Sequence, residues 1–218
     1  MLMTNFIEAL YEFYDDFLKG YAFSCAAGCS TCCTTNVVTT TMEVDYLMEK
    51  AGNRVRDALR EIDLDDTFGY RPSISINESA SYYLKEQYPP EDTGVHTKGI
   101  CPLLSQEGLC SVYQFRPFSC RAMTSTKPCD PGEGAEMDPF LITVNLSIQQ
   151  IIEHVDSKGF TGNLWDVVNY HETKATLNLI RNRPFPGFLV PPQERGRFLA
   201  FTRRLKKRTG IELMLQTP

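Results

Sequence analysis

Cysteine is the residue whose type and spacing in this chain point most directly to chemistry. The sequence has eight cysteines, and all of them fall into two compact groups, here called the first and second cysteine clusters. Thiolate sulfur is the soft ligand that zinc and iron–sulfur clusters select. Ligands a few residues apart also need little extra ordering to reach one metal. The pattern predicts one thiolate metal site, with these candidate ligands: Cys25, Cys29, Cys32 and Cys33 in the first cluster, and Cys101, Cys110, Cys120 and Cys129 in the second.

The number of thiols is larger than one metal requires. A tetrathiolate site uses about four, so one metal centre with spare thiols, two separate metals, or one multinuclear site all fit. Cys32 and Cys33 are adjacent and their side chains diverge, so we expect them to have different roles. Cys129 precedes Asp130-Pro131-Gly132, the loosest context of all, and is the weakest candidate ligand.

Three other roles for clustered cysteines compete with metal binding. Buried free cysteines pack as small hydrophobic side chains, a disulfide framework is typical of exported proteins, and a Cys32–Cys33 pair could serve thiol redox chemistry. The N-terminus lacks the basic segment and the apolar run of a signal peptide. No stretch reaches the roughly 18 apolar residues of a membrane span. We therefore expect a cytoplasmic protein without a membrane partner, and a reducing compartment favours metal ligation.

The metal is expected to be a [4Fe-4S] cluster or Zn²⁺. The spacing favours iron–sulfur slightly, because the chain lacks the paired C-x2-C knuckles and the nearby C-x2-C/H-x3-H set typical of zinc. A four-thiolate site of either kind carries a formal charge of roughly −2. Arg116 and Arg121 flank Cys120 and could offset this charge while donating to sulfur; pairing with surface acids is the alternative. His96, in the loop before Cys101, is a further possible ligand.

Charge along the chain bears on the remaining partners. The net charge is −5, yet residues 194–218 contain seven basic and two acidic residues. The rest of the chain is therefore strongly acidic, which makes nucleic acid an unlikely partner. The basic helix predicted at the C-terminus is either a solvated face or a docking surface for an acidic protein partner.

The elements that must position the cysteines are mostly helical. The fold class expected is mainly α: a single helical domain, residues 1–218, with one or two short β-hairpins around a cysteine-rich metal centre. The cysteine core spans about 21–130 and a C-terminal helical part spans about 138–210. Apolar residues at helical spacing predict the following helices: 4–20, 42–61, 78–88, 138–157, 163–182 and 191–208.

Two short segments are expected to be extended. Residues 73–76 alternate serine and isoleucine and suggest a strand. Residues 101–113 have two apolar runs around a turn, which predicts a β-hairpin that brings Cys101 close to Cys110. A turn at Pro117 can then fold Cys120 back towards both.

The motif residues resemble those of a known family, the YkgJ-type cysteine-cluster proteins, which are bacterial and described as zinc- or iron-chelating. The resemblance covers mainly residues 25–33 and 99–130, and it implies metal binding without an established reaction. A related cysteine pattern occurs in flagellin lysine methylases, which are thought to carry an iron–sulfur cluster and use S-adenosylmethionine; this chain looks too short for that whole enzyme. The matching residues are Cys25, Cys29, Cys32-Cys33, Cys101-Pro102-x-Leu104, Gly108-x-Cys110-x-Val112-Tyr113, Arg116-Pro117 and Cys120-Arg121.

Two further functions stay open beside a metal-binding protein whose role is undetermined. One is an S-adenosylmethionine-dependent, cluster-containing methyltransferase-like enzyme, for which no catalytic residue can be named. The spacing Cys25-x3-Cys29-x2-Cys32 also occurs in radical S-adenosylmethionine enzymes, but Thr31 stands where they usually have an aromatic residue, and the alternating β/α pattern of their barrel is missing. The other is a metal chaperone, whose surplus thiols would store or pass on metal.

Overall fold

Helices supply most of the regular structure, as the apolar spacing predicts, and the fold class is confirmed as mainly α with short β elements. A computed structural model describes residues 3–65, 68–129 and 134–211. None of the helices in these ranges is long and apolar enough to cross a membrane. The α-helices are α1 (Met3–Leu18), α2 (Thr41–Arg60), α3 (Ile76–Tyr83), α4 (Phe118–Ala122), α5 (Pro139–Val155), α6 (Leu164–Thr173) and α7 (Arg195–Thr209).

A three-stranded antiparallel sheet lies beside the first cysteine cluster. Its strands are β1 (Val38–Thr40), β2 (Phe160–Asn163) and β3 (Ile180–Arg181), in the order β1-β2-β3. The register places Val38 opposite Asn163, and Phe160 opposite Arg181. Since β1 begins five residues after Cys33, the sheet fixes the chain as it leaves the first cluster.

Helix α2 begins at a capping box. The hydroxyl of Thr40 accepts a hydrogen bond from the Glu43 backbone N–H at 3.4 Å, and the Glu43 carboxylate accepts one from the Thr40 N–H at 3.0 Å. Both donors would otherwise be without a partner at the helix start. This local pattern explains why the predicted start of the second helix agrees with the structure.

Four predicted elements differ from the structure. The helix expected over 78–88 spans Ile76–Tyr83 instead. The helix expected over 163–182 ends at Thr173, because Lys174 takes a left-handed conformation (φ 63°) as its C-cap, and β3 then occupies part of the range. The strand expected over 73–76 is wrong, because Ser75 caps α3 with its side chain instead. The predicted 101–113 hairpin contains one isolated bridge, between Leu104 and Cys110, rather than paired strands.

Two hydrophobic cores hold these elements together. One lies between α1, α4, α5 and α7 and includes the fully buried Tyr14 and Phe118. The other lies between α2 and α6 around Trp165, and Cys101 and Cys110 pack against it. The second cysteine cluster therefore rests on a core that is formed by helices remote from it in sequence.

The buried carboxylate of Asp156, a residue distant in sequence, also holds the N-terminus of α2. Asp156 accepts hydrogen bonds from the Thr41 hydroxyl at 2.5 Å, the Met42 N–H at 3.0 Å and the Asn182 amide at 3.1 Å. Burial raises the pKa of Asp156 to about 6, although the hydrogen bonds from Thr41 and Met42 lower it. The carboxyl group therefore titrates in the native protein well above the usual range of aspartate, about 3.9.

Replacing Asp156 by asparagine is expected to flatten the pH dependence of stability. Between about pH 4 and pH 6 the native protein retains a proton that the unfolded chain has already released, so the contribution of Asp156 to the free energy of unfolding falls as pH rises. Urea denaturation of both proteins should show the wild type losing about 2–3 kcal/mol more than Asp156→Asn between pH 4 and pH 7. Parallel pH profiles would contradict the raised pKa.

Candidate metal centre

Backbone pairing joins the two cysteine clusters. The N–H of Cys101 donates to the carbonyl of Cys33 at 3.0 Å, and Thr35 donates to the carbonyl of Gly99 at the same distance. Gly99 is required here, because a Cβ atom at this position would lie 2.6 Å from the Thr35 hydroxyl oxygen. Residues 68 apart in sequence are thus held side by side, which agrees with the prediction that the two clusters meet.

The loop between Cys101 and Cys110 is closed by two backbone hydrogen bonds. Ser111 donates to Leu103 and Ser105 donates to Leu109, both at 2.8 Å, and together these bonds form the isolated bridge between Leu104 and Cys110. The buried side chains of Leu103 and Val112 anchor the two ends of this loop on the second core. The loop therefore brings Cys101 and Cys110 together, as expected, although without a strand ladder.

The tip of this loop packs against the first cluster. Gly28 and Gly108 both have positive φ angles, 86° and 74°. A Cβ atom on Gly108 would lie 3.0 Å from the carbonyl oxygen of Gly28. This contact holds the turn between Cys25 and Cys29 over the loop that carries Cys110.

Cys120 is positioned by the first turn of α4. Pro117 precedes this helix and accepts a hydrogen bond from the Cys120 N–H at 3.0 Å. The N–H of Phe118 donates to the Glu43 carboxylate at 2.7 Å, and the Ser119 hydroxyl donates to the Val38 carbonyl. Contacts to α2 and to β1 therefore fix the helix that carries Cys120.

Glu43 is the residue of the site that the sequence analysis missed. Its buried carboxylate also accepts hydrogen bonds from the hydroxyls of Tyr11 at 2.8 Å and Thr39 at 3.0 Å. Burial, followed by the charge of Glu43, raises the pKa of Tyr11, so this hydroxyl remains a donor. The capping-box pattern reveals the contact with Thr40, but the contacts with Tyr11 and Phe118 join distant parts of the chain and have no local signal.

The thiols of both clusters influence one another electrostatically. Cys33 donates a hydrogen bond to the sulfur of Cys32, which lowers the pKa of Cys32 and raises that of Cys33. Burial raises the pKa of Cys120, and the neighbouring Cys101 and Cys110 raise it further. Burial also raises the pKa of Cys101, whereas a hydrogen bond from the Leu103 N–H to its sulfur lowers it. Five thiols thus lie in one neighbourhood: Cys32, Cys33, Cys101, Cys110 and Cys120.

The remaining thiols differ in their surroundings. Cys25, Cys29 and Cys32 are exposed, whereas Cys33, Cys101, Cys110, Cys120 and Cys129 are partly buried. The segment Asp130-Pro131-Gly132, which made Cys129 the weakest candidate, lies outside the described residues. Within the described ranges, no three cysteine, histidine, aspartate or glutamate side chains are arranged to hold a metal ion. The donor chemistry suits zinc or iron, but the assignment of ligands stays a prediction.

Arg116 lies among the thiols. Its guanidinium stacks 3.7 Å from the ring centre of Tyr113 and donates to the Tyr113 carbonyl at 2.6 Å. Its positive charge lowers the pKa of both Cys32 and Cys120, partly offsetting the effects that raise the latter. This placement is compatible with the predicted role of offsetting thiolate charge.

Arg121 has a different environment. Its side chain is only 3% exposed and forms an ion pair with Asp15 at 2.8 Å. It also donates to the carbonyls of Gln114 and Arg116 and stacks over the ring of Tyr11 at 4.3 Å. These contacts tie α4 to α1, so the alternative reading, pairing with an acid, describes its position.

His96 lies against an aromatic ring. It stacks on Tyr70 with the ring centres 4.3 Å apart and the planes nearly parallel. Its predicted role as a possible ligand is not tested by this contact.

Comparison with known proteins gives one match. A family model described as "CxxCxxCC: Putative zinc- or iron-chelating domain" matches residues 24–141, just over half of the chain. All eight cysteines and both arginines lie within this range. Searches of the curated proteins and of the solved structures found no match. The matched range carries a metal-chelating domain, whose metal is zinc or iron.

Substitution of Arg121 is expected to affect stability, and substitution of Arg116 is expected to affect metal retention. Arg121→Gln should lower the free energy of unfolding by about 2–4 kcal/mol, because it leaves two carbonyls and Asp15 without their cation. Arg116→Gln should change stability by less than about 1 kcal/mol but weaken metal retention against a chelator. Urea denaturation and metal analysis of the same samples check both. Weaker metal retention in Arg121→Gln but not in Arg116→Gln would show that Arg121, and not Arg116, offsets the thiolate charge.

Proposed function

We propose that this chain, which belongs to the CxxCxxCC family, holds a [4Fe-4S] cluster or, failing that, Zn²⁺ through thiolates drawn from both cysteine clusters. The observation that carries the proposal is the backbone hydrogen bond from Cys101 to Cys33, because it joins the two clusters at one point. A four-thiolate centre needs ligands from more than one segment when no single segment can point four thiols at the same metal.

The partly buried thiols are the best candidates for the permanent ligands. Cys101 and Cys110 rest on the second core, and Cys120 is fixed by α4. Cys33 is held next to Cys101 and completes a set of four. Binding removes the protons from these thiols, and a metal cation would relieve the burial and mutual repulsion that raise the pKa values of Cys101 and Cys120.

The surroundings suit an iron–sulfur cluster, which the absence of paired zinc knuckles in the sequence also favours slightly. Apolar side chains such as Leu103 and Val112 lie behind the thiols, and the Leu103 N–H donates to sulfur. Such burial and N–H···S hydrogen bonds are the means by which proteins stabilise and tune these clusters. The cluster would supply electron transfer or Lewis acidity, and Arg116 would offset part of its negative charge.

A second candidate function, metal delivery, is favoured by the exposure of the first cluster. Cys25, Cys29 and Cys32 are exposed, so their thiolates could accept or pass on metal without opening the protein. The Gly28–Gly108 contact would keep them close to the second cluster. This function requires a protein partner that receives the metal.

Anaerobic purification should distinguish these possibilities. We expect a brown protein with broad visible absorbance, iron and acid-labile sulfide in comparable amounts, and slow loss of iron to a chelator. A colourless protein with stoichiometric zinc and no sulfide would overturn the iron–sulfur assignment. Rapid, complete transfer of the metal to the chelator would favour delivery over permanent binding.

Single cysteine substitutions test the joint site. Cys33→Ala and Cys110→Ala, one from each cluster, are expected to abolish metal loading, because each removes a ligand that the other cluster cannot replace. Cys129→Ala is the matched control and should retain most of the metal. Metal and sulfide content per protein, with circular dichroism as a check on folding, gives the result. Full metal content in every single variant would refute a shared site.

A further inference from the structure

A large cavity lies next to the helix that carries Cys120. Its volume is about 590 Å³, within the range of roughly 300–1,000 Å³ that is usual for small-molecule sites. The walls come from β1, α3, α5 and the 88–92 loop, and Phe118 and Ser119 close one side. The next residue, Cys120, belongs to the candidate metal ligands but does not line the cavity.

The charge of the cavity is entirely negative. Four carboxylates line it, from Glu43, Glu91, Asp92 and Glu153, and no lysine, arginine or histidine is among the described residues of its wall. The wall therefore carries up to four negative charges with no positive charge beside them. A cation would be attracted to this cavity and an anion repelled.

Two of these carboxylates are buried without a cation. Glu43 is 4% exposed and Glu153 is 1% exposed. Glu153 accepts hydrogen bonds from the backbone N–H groups of Asn77 at 2.8 Å and Arg183 at 2.6 Å. Neither carboxylate forms an ion pair with any described residue, although buried charges are usually paired. Burial accordingly raises the pKa of Glu153, and a bound cation would relieve this cost.

Aromatic rings supply the apolar part of the wall. Tyr70, Tyr83 and Tyr88 line the cavity, and Tyr83 and Tyr88 are large side chains left 48% and 90% exposed. The faces of tyrosine rings attract cations, most strongly those that are weakly hydrated. The Tyr70 hydroxyl donates to Asp92, which holds one ring and one carboxylate together on the same side of the cavity.

We propose that this cavity is a binding site for a small organic cation, an alkylated ammonium group on a short apolar or hydroxylated body. The buried carboxylates provide the charge, and the tyrosine rings contact the alkyl groups. An inorganic ion would leave most of the volume unfilled, and a neutral ligand would leave the buried carboxylates without a countercharge. This assignment does not depend on the identity of the metal.

Choline and its neutral isostere, 3,3-dimethylbutan-1-ol, provide a direct test with the full-length, metal-loaded protein. The two molecules have the same shape and differ in charge. Isothermal titration calorimetry should show choline binding with a dissociation constant of about 1 mM or below, and the neutral isostere binding at least about tenfold more weakly. Butylammonium serves as a primary-amine probe and should bind more weakly than choline.

Variants locate the binding in the cavity. Glu153→Gln is expected to weaken choline binding about tenfold. Glu91→Gln, an exposed position that cannot disturb the core, should weaken it by about threefold. Glu61→Gln, an exposed acid at the end of α2 outside the cavity, is the matched control and should leave the affinity unchanged.

Several results would overturn the proposal. Equal affinity for choline and its neutral isostere would show that charge plays no part. No choline binding at several times 1 mM, or the same affinity in Glu91→Gln as in Glu61→Gln, would remove the site, even if Glu153→Gln failed to fold. Metal content measured on the same samples separates this failure from a failure of the proposed metal centre.

Discussion

One buried carboxylate, that of Glu43, links the parts of the molecule that have to meet. Its two oxygens accept hydrogen bonds from Tyr11 in α1, from the residues that lead into α2, and from Phe118 at the start of α4. A buried carboxylate stays charged only if such donors surround it. The position of the helix that carries Cys120, part of the charge of the neighbouring cavity and the start of α2 therefore all involve this one side chain.

The two halves of the proposed metal centre are held in two different ways. The second cluster is fixed by packing, because Cys101 and Cys110 rest on a core formed by α2 and α6. The first cluster is fixed mainly by backbone, through the Cys33–Cys101 hydrogen bond and the Gly28–Gly108 contact. A packed half and an exposed half suit a site in which the partly buried thiols retain the metal and the exposed thiols bind it first.

Local patterns in the sequence were sufficient where the physics is local. The apolar spacing predicts α1 and α5, and the Thr40–Glu43 capping box predicts the start of α2. The density of cysteines predicts metal binding, and the motif residues around them resemble the family that the comparison shows. The small sheet was not predicted, because β2 and β3 are only four and two residues long and a helix lies between them in the sequence. The contacts of Arg121 and the cavity could not be predicted from the sequence. Both involve segments far apart in the chain, and such contacts leave no periodic signal.

Cys33 and Cys101, which a backbone hydrogen bond joins, lie far apart in the sequence and are therefore synthesised at different times. Ribosomes add about 5–20 residues per second, so the second half of the site follows the first by roughly 3–14 seconds. During this interval four thiols of the nascent chain have no counterpart to share a metal with. The proposed centre can be completed only after translation has passed Cys120.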